Sequence, residues 1–372
     1  MSFYTFGIVA SVLFALMDFY CYKSLARNVL LAPLRYLLAA FIGVIWLVEA
    51  SFFFSFSGFE LNEFIYKIAI FSIGATWLVF CLLLLFDAAI WGVGRFSRSR
   101  RRALKFLLDV GVLIGAVAYV LRGVWNANYD LVLTRRTVRV PNLAEPLNIA
   151  VISDAHIGEF LGRDFLADVV ARINALNPDA VFIVGDLTDL RADQIGDRLD
   201  PLASLKSRFG TFFVAGNHEY YHGLLSLCAK FETLGVRVLR NESVSFGGIN
   251  LAGVYDLAGF KAHQGEPDFT AALSNLNSDL PTILLAHQPK SLRYLREEEL
   301  AKIDLMVCGH THAGQIFPFG VLVWLDQKYI YGLYRIGEKL QLLVSSGVGF
   351  WGPPMRIWSK SEIVHLRLEN EL

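Results

Sequence analysis

Four apolar runs dominate the first third of the chain: Phe3 to Tyr22, Tyr36 to Phe56, Phe64 to Phe86 and Phe106 to Val124. Each is about the twenty residues that a helix needs to cross a hydrocarbon layer of about 30 Å, so four transmembrane helices are expected. Hydrophobic residues make up 55% of the 372 and charged residues 18%, too apolar a balance for a wholly soluble chain. A single core stops growing at roughly 250 to 300 residues, which leaves room for one catalytic domain of ordinary size after the helices. The net charge of zero supplies no basic field, so nothing in the composition argues for a nucleic-acid partner.

The first run is not a cleavable leader, because Lys23 and Arg27 follow it instead of preceding it. Lys23, Arg27 and Arg35 lie between the first two helices, and Arg95, Arg98, Arg100, Arg101, Arg102 and Lys105 between the last two. Basic loops stay in the cytoplasm, whereas the middle loop carries only Glu60 and Glu63; four crossings then put both termini outside. Arg122, Arg135, Arg136 and Arg139 also flank the fourth helix and pull against that orientation. Asp18, Glu49, Asp87 and Asp109 fall within or at the ends of the spans, where charge is expensive. Snorkelling or protonation explains those near an end, which Glu49 is not. The four cysteines, Cys21, Cys81, Cys228 and Cys308, show no paired spacing and read as free, packed thiols.

Beyond Pro141 and Pro146 the pattern changes to short strand-length apolar runs alternating with helical ones, the mark of a layered α/β domain. The expected organisation is a membrane domain over 1–125, a juxtamembrane linker over 126–147 and a catalytic domain over 148–372. Strands are expected at Asn148 to Ile152, Ala180 to Val184, Thr211 to Ala215, Thr282 to Ala286 and Ile303 to Val307, and helices at Arg163 to Leu176 and Leu224 to Leu234. Each strand runs straight into a polar cluster: Ser153-Asp154-Ala155-His156, Gly185-Asp186-Leu187-Thr188-Asp189, Gly216-Asn217-His218-Glu219, His287-Gln288-Pro289 and Cys308-Gly309-His310-Thr311-His312. Ligands of open α/β sheets bind outside the carboxyl ends of strands, so the five clusters should converge in one crevice.

Asp, His and Asn together offer the mixed oxygen and imidazole ligation that suits Mn, Fe or Zn better than Mg or Ca. Two such metals sharing a carboxylate polarise a phosphoryl oxygen and activate water near neutral pH. Taken singly, each cluster has a structural reading as a turn or helix cap. All five in this order, each at a strand end, do not.

The motif set resembles the calcineurin-like metallophosphoesterases, whose pattern is D-x-H, G-D-x-x-D, G-N-H-[DE], a lone His and G-H-x-H. The resemblance implies an α/β fold in which a layered β-sandwich is flanked by helices, here joined to an N-terminal α-helical transmembrane bundle. It implies that Asp154, His156, Asp186 and His312 hold one divalent metal and that Asp186, Asn217, His287 and His310 hold the other, with Asp186 as the bridge. It places His218 beside the phosphoryl group as transition-state stabiliser and proton donor, oriented by Asp189. The family often has a glycine where Leu190 follows Asp189, a departure that touches no ligand.

Gly309-His310-Thr311-His312-Ala313-Gly314-Gln315 and Ser346 to Arg356 are similar to the bacterial exported or membrane-bound phosphohydrolases of that superfamily. With the loop charges read above, an inner-membrane, multi-pass protein with a periplasmic or extracellular catalytic domain is expected. In that late segment Arg356 either binds substrate phosphate through its planar fork or braces the Gly- and Pro-rich backbone. Trp324, Phe350 and Trp351 either pack as core or wall an apolar site for a lipid tail. His222, His263 and His365 read as surface or satisfied residues. Ser99 to Lys105 resembles a twin-arginine export signal placed internally, with Ala103 where the pattern usually has Phe.

The function expected is hydrolysis of a phosphodiester or pyrophosphate bond in a lipid-linked or membrane-surface phosphate ester, since tethering beside the lipid raises its effective concentration. Two alternatives stay open. One is cleavage of a UDP-2,3-diacylglucosamine-type pyrophosphate in lipid A synthesis, which requires a cytoplasmic domain. The other is a non-catalytic membrane sensor or transporter accessory. The sequence carries no signal for oligomeric state.

Overall fold

Many apolar side chains of the N-terminal helices point outward. The computed structural model describes residues 3–27, 29, 31–55, 61–92 and 98–371, with the side chains of 3, 90–92 and 98–105 set aside. Four helices occupy its first part: α1 (Phe3–Ala26), α2 (Ala32–Ser55), α3 (Glu63–Gly92) and α4 (Arg98–Tyr129). Each holds a stretch long and apolar enough to cross a membrane: Tyr4–Ala26, Ala32–Ser55, Glu63–Ala89 and Phe106–Tyr129. Tyr36, Leu37, Phe64, Leu107 and Ile114 are each at least 65% exposed, an arrangement that water penalises and lipid does not. Phe56, Glu60 and Arg95 lie outside the described residues, as do the side chains of Arg98, Arg100, Arg101, Arg102 and Lys105.

Three of the four acidic residues of the spans are buried among the helices, and Asp87 is half-buried. Glu49 is fully buried and its Oε1 accepts from Thr76 Oγ1 at 2.8 Å. Asp18 and Asp109 are also buried, and Asp87 accepts from Ser24 Oγ at 2.8 Å and Tyr20 O–H at 3.1 Å. Hydroxyls on neighbouring helices provide the hydrogen bonds that lipid cannot.

The chain divides into two compact units, Met1–Trp125 with Gly352–Met355, and Asn126–Trp351 with Arg356–Leu372. The second unit is built on twelve strands: β1 (Leu131–Val140), β2 (Leu147–Ile152), β3 (Ala180–Val184), β4 (Thr211–Val214), β5 (Val236–Val238), β6 (Glu242–Phe246), β7 (Ile249–Gly253), β8 (Thr282–Leu285), β9 (Leu305–Cys308), β10 (Gly332–Ile336), β11 (Leu340–Val344) and β12 (Ser361–Asn370). They form two six-stranded sheets, in the orders β1-β12-β2-β3-β4-β5 and β10-β11-β9-β8-β7-β6. In the first sheet β2 to β5 are parallel and β12 runs antiparallel to β2; in the second β7, β8, β9 and β11 are parallel, with β6 and β10 antiparallel on the outside.

Alternate side chains sort the sandwich into layers. Val151, Phe182, Val184 and Val214 from one sheet meet Leu251, Leu285, Val307 and Leu343 from the other. The opposite faces, Ile152, Ile183 and Phe213 on the first sheet, are covered by α5 (Arg163–Ala175) and α7 (Leu224–Thr233) through Leu166, Val170, Leu227 and Phe231. Strands buried on both faces read as unbroken apolar runs, which is why β2, β3, β4, β8 and β9 were visible in the sequence. Within 126–147, where a linker was expected, α4 continues to Tyr129 and β1 pairs in parallel with β12 over ten residues. Arg135, Thr137 and Arg139 alternate with less exposed neighbours there, and charge along an outer strand guards a sheet edge.

Candidate metal centre

Parallel β2, β3 and β4 of one sheet and β8 and β9 of the other deliver their carboxyl ends to one place. The turn after β2 carries Asp154 and His156, and it is stitched to the turn after β3 by Asp154 N–H to Gly185 O (3.0 Å) and His156 N–H to Asp186 O (3.1 Å). The turn after β9 is tied to both neighbours: Gly309 N–H donates to His287 O (2.9 Å), and His310 N–H to both oxygens of Asp154 (3.0 Å). Gly185 sits at φ +80°, and a side chain there would run into the His287 ring, so only glycine fits the turn that carries Asp186.

The expected residues come together. Asp154, His156 and His312 form one group with ligand atoms within 4.8 Å of one another; Asp186, His287 and His310 form a second; His156, Asp189 and His218 form a third. His312 Nε2 stands 3.4 Å from Asp154 Oδ1 and 3.1 Å from His156 Nε2. His287 Nε2 stands 3.0 Å from Asp186 Oδ2 and 3.2 Å from His310 Nδ1. Asp186 Oδ2 also lies 3.9 Å from His156 Nε2, so one carboxylate reaches both groups. Asn217, first residue of the short helix α6 (Asn217–His222), is buried with an Oδ1 that no protein group satisfies.

The hydrogen-bond pattern shows that cations fit here. His287 Nδ1 lies 2.8 Å from the carbonyl of Val184, which only an N–H can satisfy, so the neutral ring turns a lone pair toward the Asp186 carboxylate. His156 Nδ1 likewise lies 2.7 Å from Asp189 Oδ1, leaving its Nε2 lone pair aimed at His312 and Asp186. Lone pairs facing carboxylates in a buried site demand a proton or a metal ion between them, and outer hydrogen bonds of this kind are how proteins fix the tautomer of a ligating histidine. The same demand shows in the ionisation: burial disfavours charge on His287, but Asp186 outweighs it and raises the imidazole well above its usual range.

His218 is placed beside the ligands. Its Nδ1 lies 2.7 Å from Asp189 Oδ1, an ion-pair distance without hydrogen-bond alignment, and its ring packs edge-on against His156 at 4.5 Å. Burial opposes protonation of His218, yet Asp186 and Asp189 prevail and lift it to about 9. Burial pushes the Asp189 carboxyl up, and His156 and His218 more than offset it, holding Asp189 below the usual carboxylate range. One carboxylate therefore serves two histidines, where the sequence assigned it only one.

Arg356 turns its guanidinium toward backbone carbonyls. It is fully buried, and its guanidinium donates to the carbonyls of Gly349 (2.5 and 2.9 Å), Ser346 (2.6 Å), Lys360 (3.1 Å) and His312 (3.3 Å), with Nη2 3.2 Å from His312 Nδ1. A fork spent on backbone oxygens in this way favours the bracing reading over phosphate binding. Phe350 is core at 4% exposure, but Trp351 and Trp324 are 42% and 53% exposed, and the Trp351 ring lies 6.1 Å from that of His218. His263 is exposed, His365 is half-buried, and half-buried His222 lies 6.1 Å from His218, where burial lowers it to about 4.

Glu219 has a structural role that its cluster Gly216-Asn217-His218-Glu219 did not reveal. Fully buried, it accepts from the backbone N–H groups of Gly216 (2.7 Å), Leu187 (2.8 Å) and Asp186 (3.0 Å), so it clamps two ligand-bearing turns together. Its position three residues after Gly216, at the start of a helix, is a capping signature that could have revealed it. Asp256, which accepts both contacts of Gln288 Nε2 at 2.8 and 3.0 Å next to His287, had no sequence signal.

The family model for calcineurin-like phosphoesterases matches residues 147–314. A metallophosphoesterase of Helicobacter pylori is 41% identical over 295 residues, 79% of each chain. One from Campylobacter jejuni is 34% identical over 379 residues and matches along 100% of both chains. A transmembrane protein with metallophosphoesterase domain from Bos taurus is 38% identical over 293 residues, 74% of this chain and 65% of that one. The chain belongs to the calcineurin-like metallophosphoesterases. It is a metal-dependent phosphoesterase and, with four apolar helices of spanning length, a membrane protein.

Proposed function

We propose that the chain hydrolyses a phosphodiester or pyrophosphate bond of a lipid-linked or membrane-surface substrate at a centre of two divalent metals, Mn, Fe or Zn. Asp154, His156, Asp186 and His312 would hold one and Asp186, Asn217, His287 and His310 the other. The observation that carries this is the Asp186 carboxylate, 3.0 Å from His287 and 3.9 Å from His156, within reach of both groups. When bound, two such ions withdraw charge from a phosphoryl group and activate water.

The chain's own residues do the rest. Asp189 holds the His156 ring so that Nε2 points inward, and Glu219 locks the turn bearing Asp186. His218 is positioned to give a proton to the departing oxygen, a contribution of about 10²- to 10⁴-fold. The basic loops support an extracytoplasmic catalytic domain.

Purified full-length protein loaded with Mn or Fe should bind two equivalents and turn over a generic aryl phosphodiester, and Asp186→Asn should lose both metal stoichiometry and turnover. Loaded wild-type protein that does not hydrolyse the ester, with an Asp186→Asn variant behaving identically, would sink the reading.

A further inference from the structure

Close to the metal centre in sequence lies an apolar surface that the catalytic domain's own packing does not explain. The helix Gly320–Gln327 is built inside out: its one buried side chain is Gln327, while Val321, Leu322, Trp324 and Leu325 are 51%, 50%, 53% and 62% exposed. Gln327 is drawn inward because its Oε1 accepts from Lys290 N–H at 3.2 Å and its Nε2 reaches Gln288 Oε1 at 3.3 Å. The helix starts against the His312 turn, where Gly314 at φ +79° leaves no room for a side chain over Gly320.

Under the helix is a cavity of about 360 Å³ lined by Ala313, Phe317, Val321, Trp324, Ile357 and Trp358 among others, none of them charged. The Phe317 and Trp358 rings lie 4.4 Å apart. Ala313 and Gly314, which follow His312 directly in the chain, are among its lining residues, so the cavity borders the turn that carries His312.

An exposed apolar helix over an uncharged cavity marks a binding site for something apolar. Four spanning helices tether this domain to a bilayer, which makes hydrocarbon the apolar partner present at high effective concentration. The lining holds no charged side chain, so nothing in it would balance the charges of a peptide or of a nucleotide's phosphates.

We propose that this cavity takes the hydrocarbon chain of a lipid phosphate ester whose phosphate lies at the metal centre. The proposal rests on the reading of the chain as a phosphoesterase of membrane-surface substrates and says where the tail goes.

The test is binding of methyl, butyl and octyl phosphate to the metal-loaded full chain in nanodiscs, by calorimetry against empty nanodiscs. A buried methylene contributes about fourfold in affinity, so butyl phosphate should bind tens of times tighter than methyl phosphate and octyl phosphate tighter still. Val321→Asp and Trp358→Asp, at positions 51% and 78% exposed, should flatten that series, and the ratio is read within each variant so that a general loss of affinity does not enter it. Equal affinity for all lengths, no binding of any, or a series that survives in both variants would overturn the proposal. A variant that changes the oligomeric state and leaves the series intact would assign the face to a second copy and overturn it as well. Length-dependent binding without turnover of any ester would leave the tail site standing and remove the catalytic reading, so the two failures are distinct.

Discussion

Five of the proposed ligands, Asp154, His156, Asp186, His310 and His312, adopt positive φ between 47° and 70°. A non-glycine residue pays about 1 kcal/mol or more for that conformation, so the five together oppose folding by an amount comparable with the net stability of an ordinary domain. The strain persists because short turns must bring side chains from adjacent strands to one point, and because outer groups such as Glu219 and Asp189 hold the turns in place. Asp189→Asn tests this support. An amide can still accept from His156 but loses the charge that faces His218, so metal affinity or turnover should fall about 10- to 100-fold. Asp189 is a quarter exposed at its side chain, and thermal unfolding should move little. A metal titration and kcat both at wild-type values would show that Asp189 supports neither ring. The clustered Asp and His residues were legible in the sequence because each group follows a strand-length apolar run directly. The dual role of Asp189 and the place of Asp256 were not, since both depend on which turns meet in space.

At the scale of elements, legibility followed burial. β2, β3, β4, β8 and β9 have two covered faces and announce themselves as apolar runs, as do α5 and α7 by their helical spacing. β6 and β10 show mixed burial, and β1 carries arginines on its exposed side, so their sequences look like loops until a neighbouring strand completes them. In the membrane helices the pattern is reversed, and the informative residue is the polar one within. Glu49 depends on the Thr76 hydroxyl, and Thr76→Val keeps the shape while removing the donor. The expected cost is about 0.5 to 2 kcal/mol, the range of hydroxyl contacts between membrane helices. Unfolding in mixed micelles would reveal it as a shifted midpoint with unchanged phosphoesterase activity. An unshifted midpoint would mean that Glu49 has another donor in the unfolded bundle or needs none.

For the whole molecule, the side of the membrane on which the catalytic domain lies decides which phosphate esters it can meet. An even number of crossings puts the N-terminus and the domain on one side, and Lys23, Arg27 and Arg35 in the first connection argue that this side is not the cytoplasm. The native thiols permit a direct measurement, because Cys21, Cys228 and Cys308 are buried and Cys81 is half-buried within α3. Leu225, on the outer face of α7, is 59% exposed, so Leu225→Cys places a reactive thiol on the catalytic domain without touching its core. A membrane-impermeant maleimide should label Leu225→Cys in intact cells with a permeabilised outer envelope and leave the parent chain unlabelled. Labelling only after lysis of the inner membrane would put the domain in the cytoplasm. The substrates within reach would then be made on that side, nucleotide-linked lipid precursors among them, and the arginines Arg135, Arg136 and Arg139 after α4 would become the ones that set the orientation.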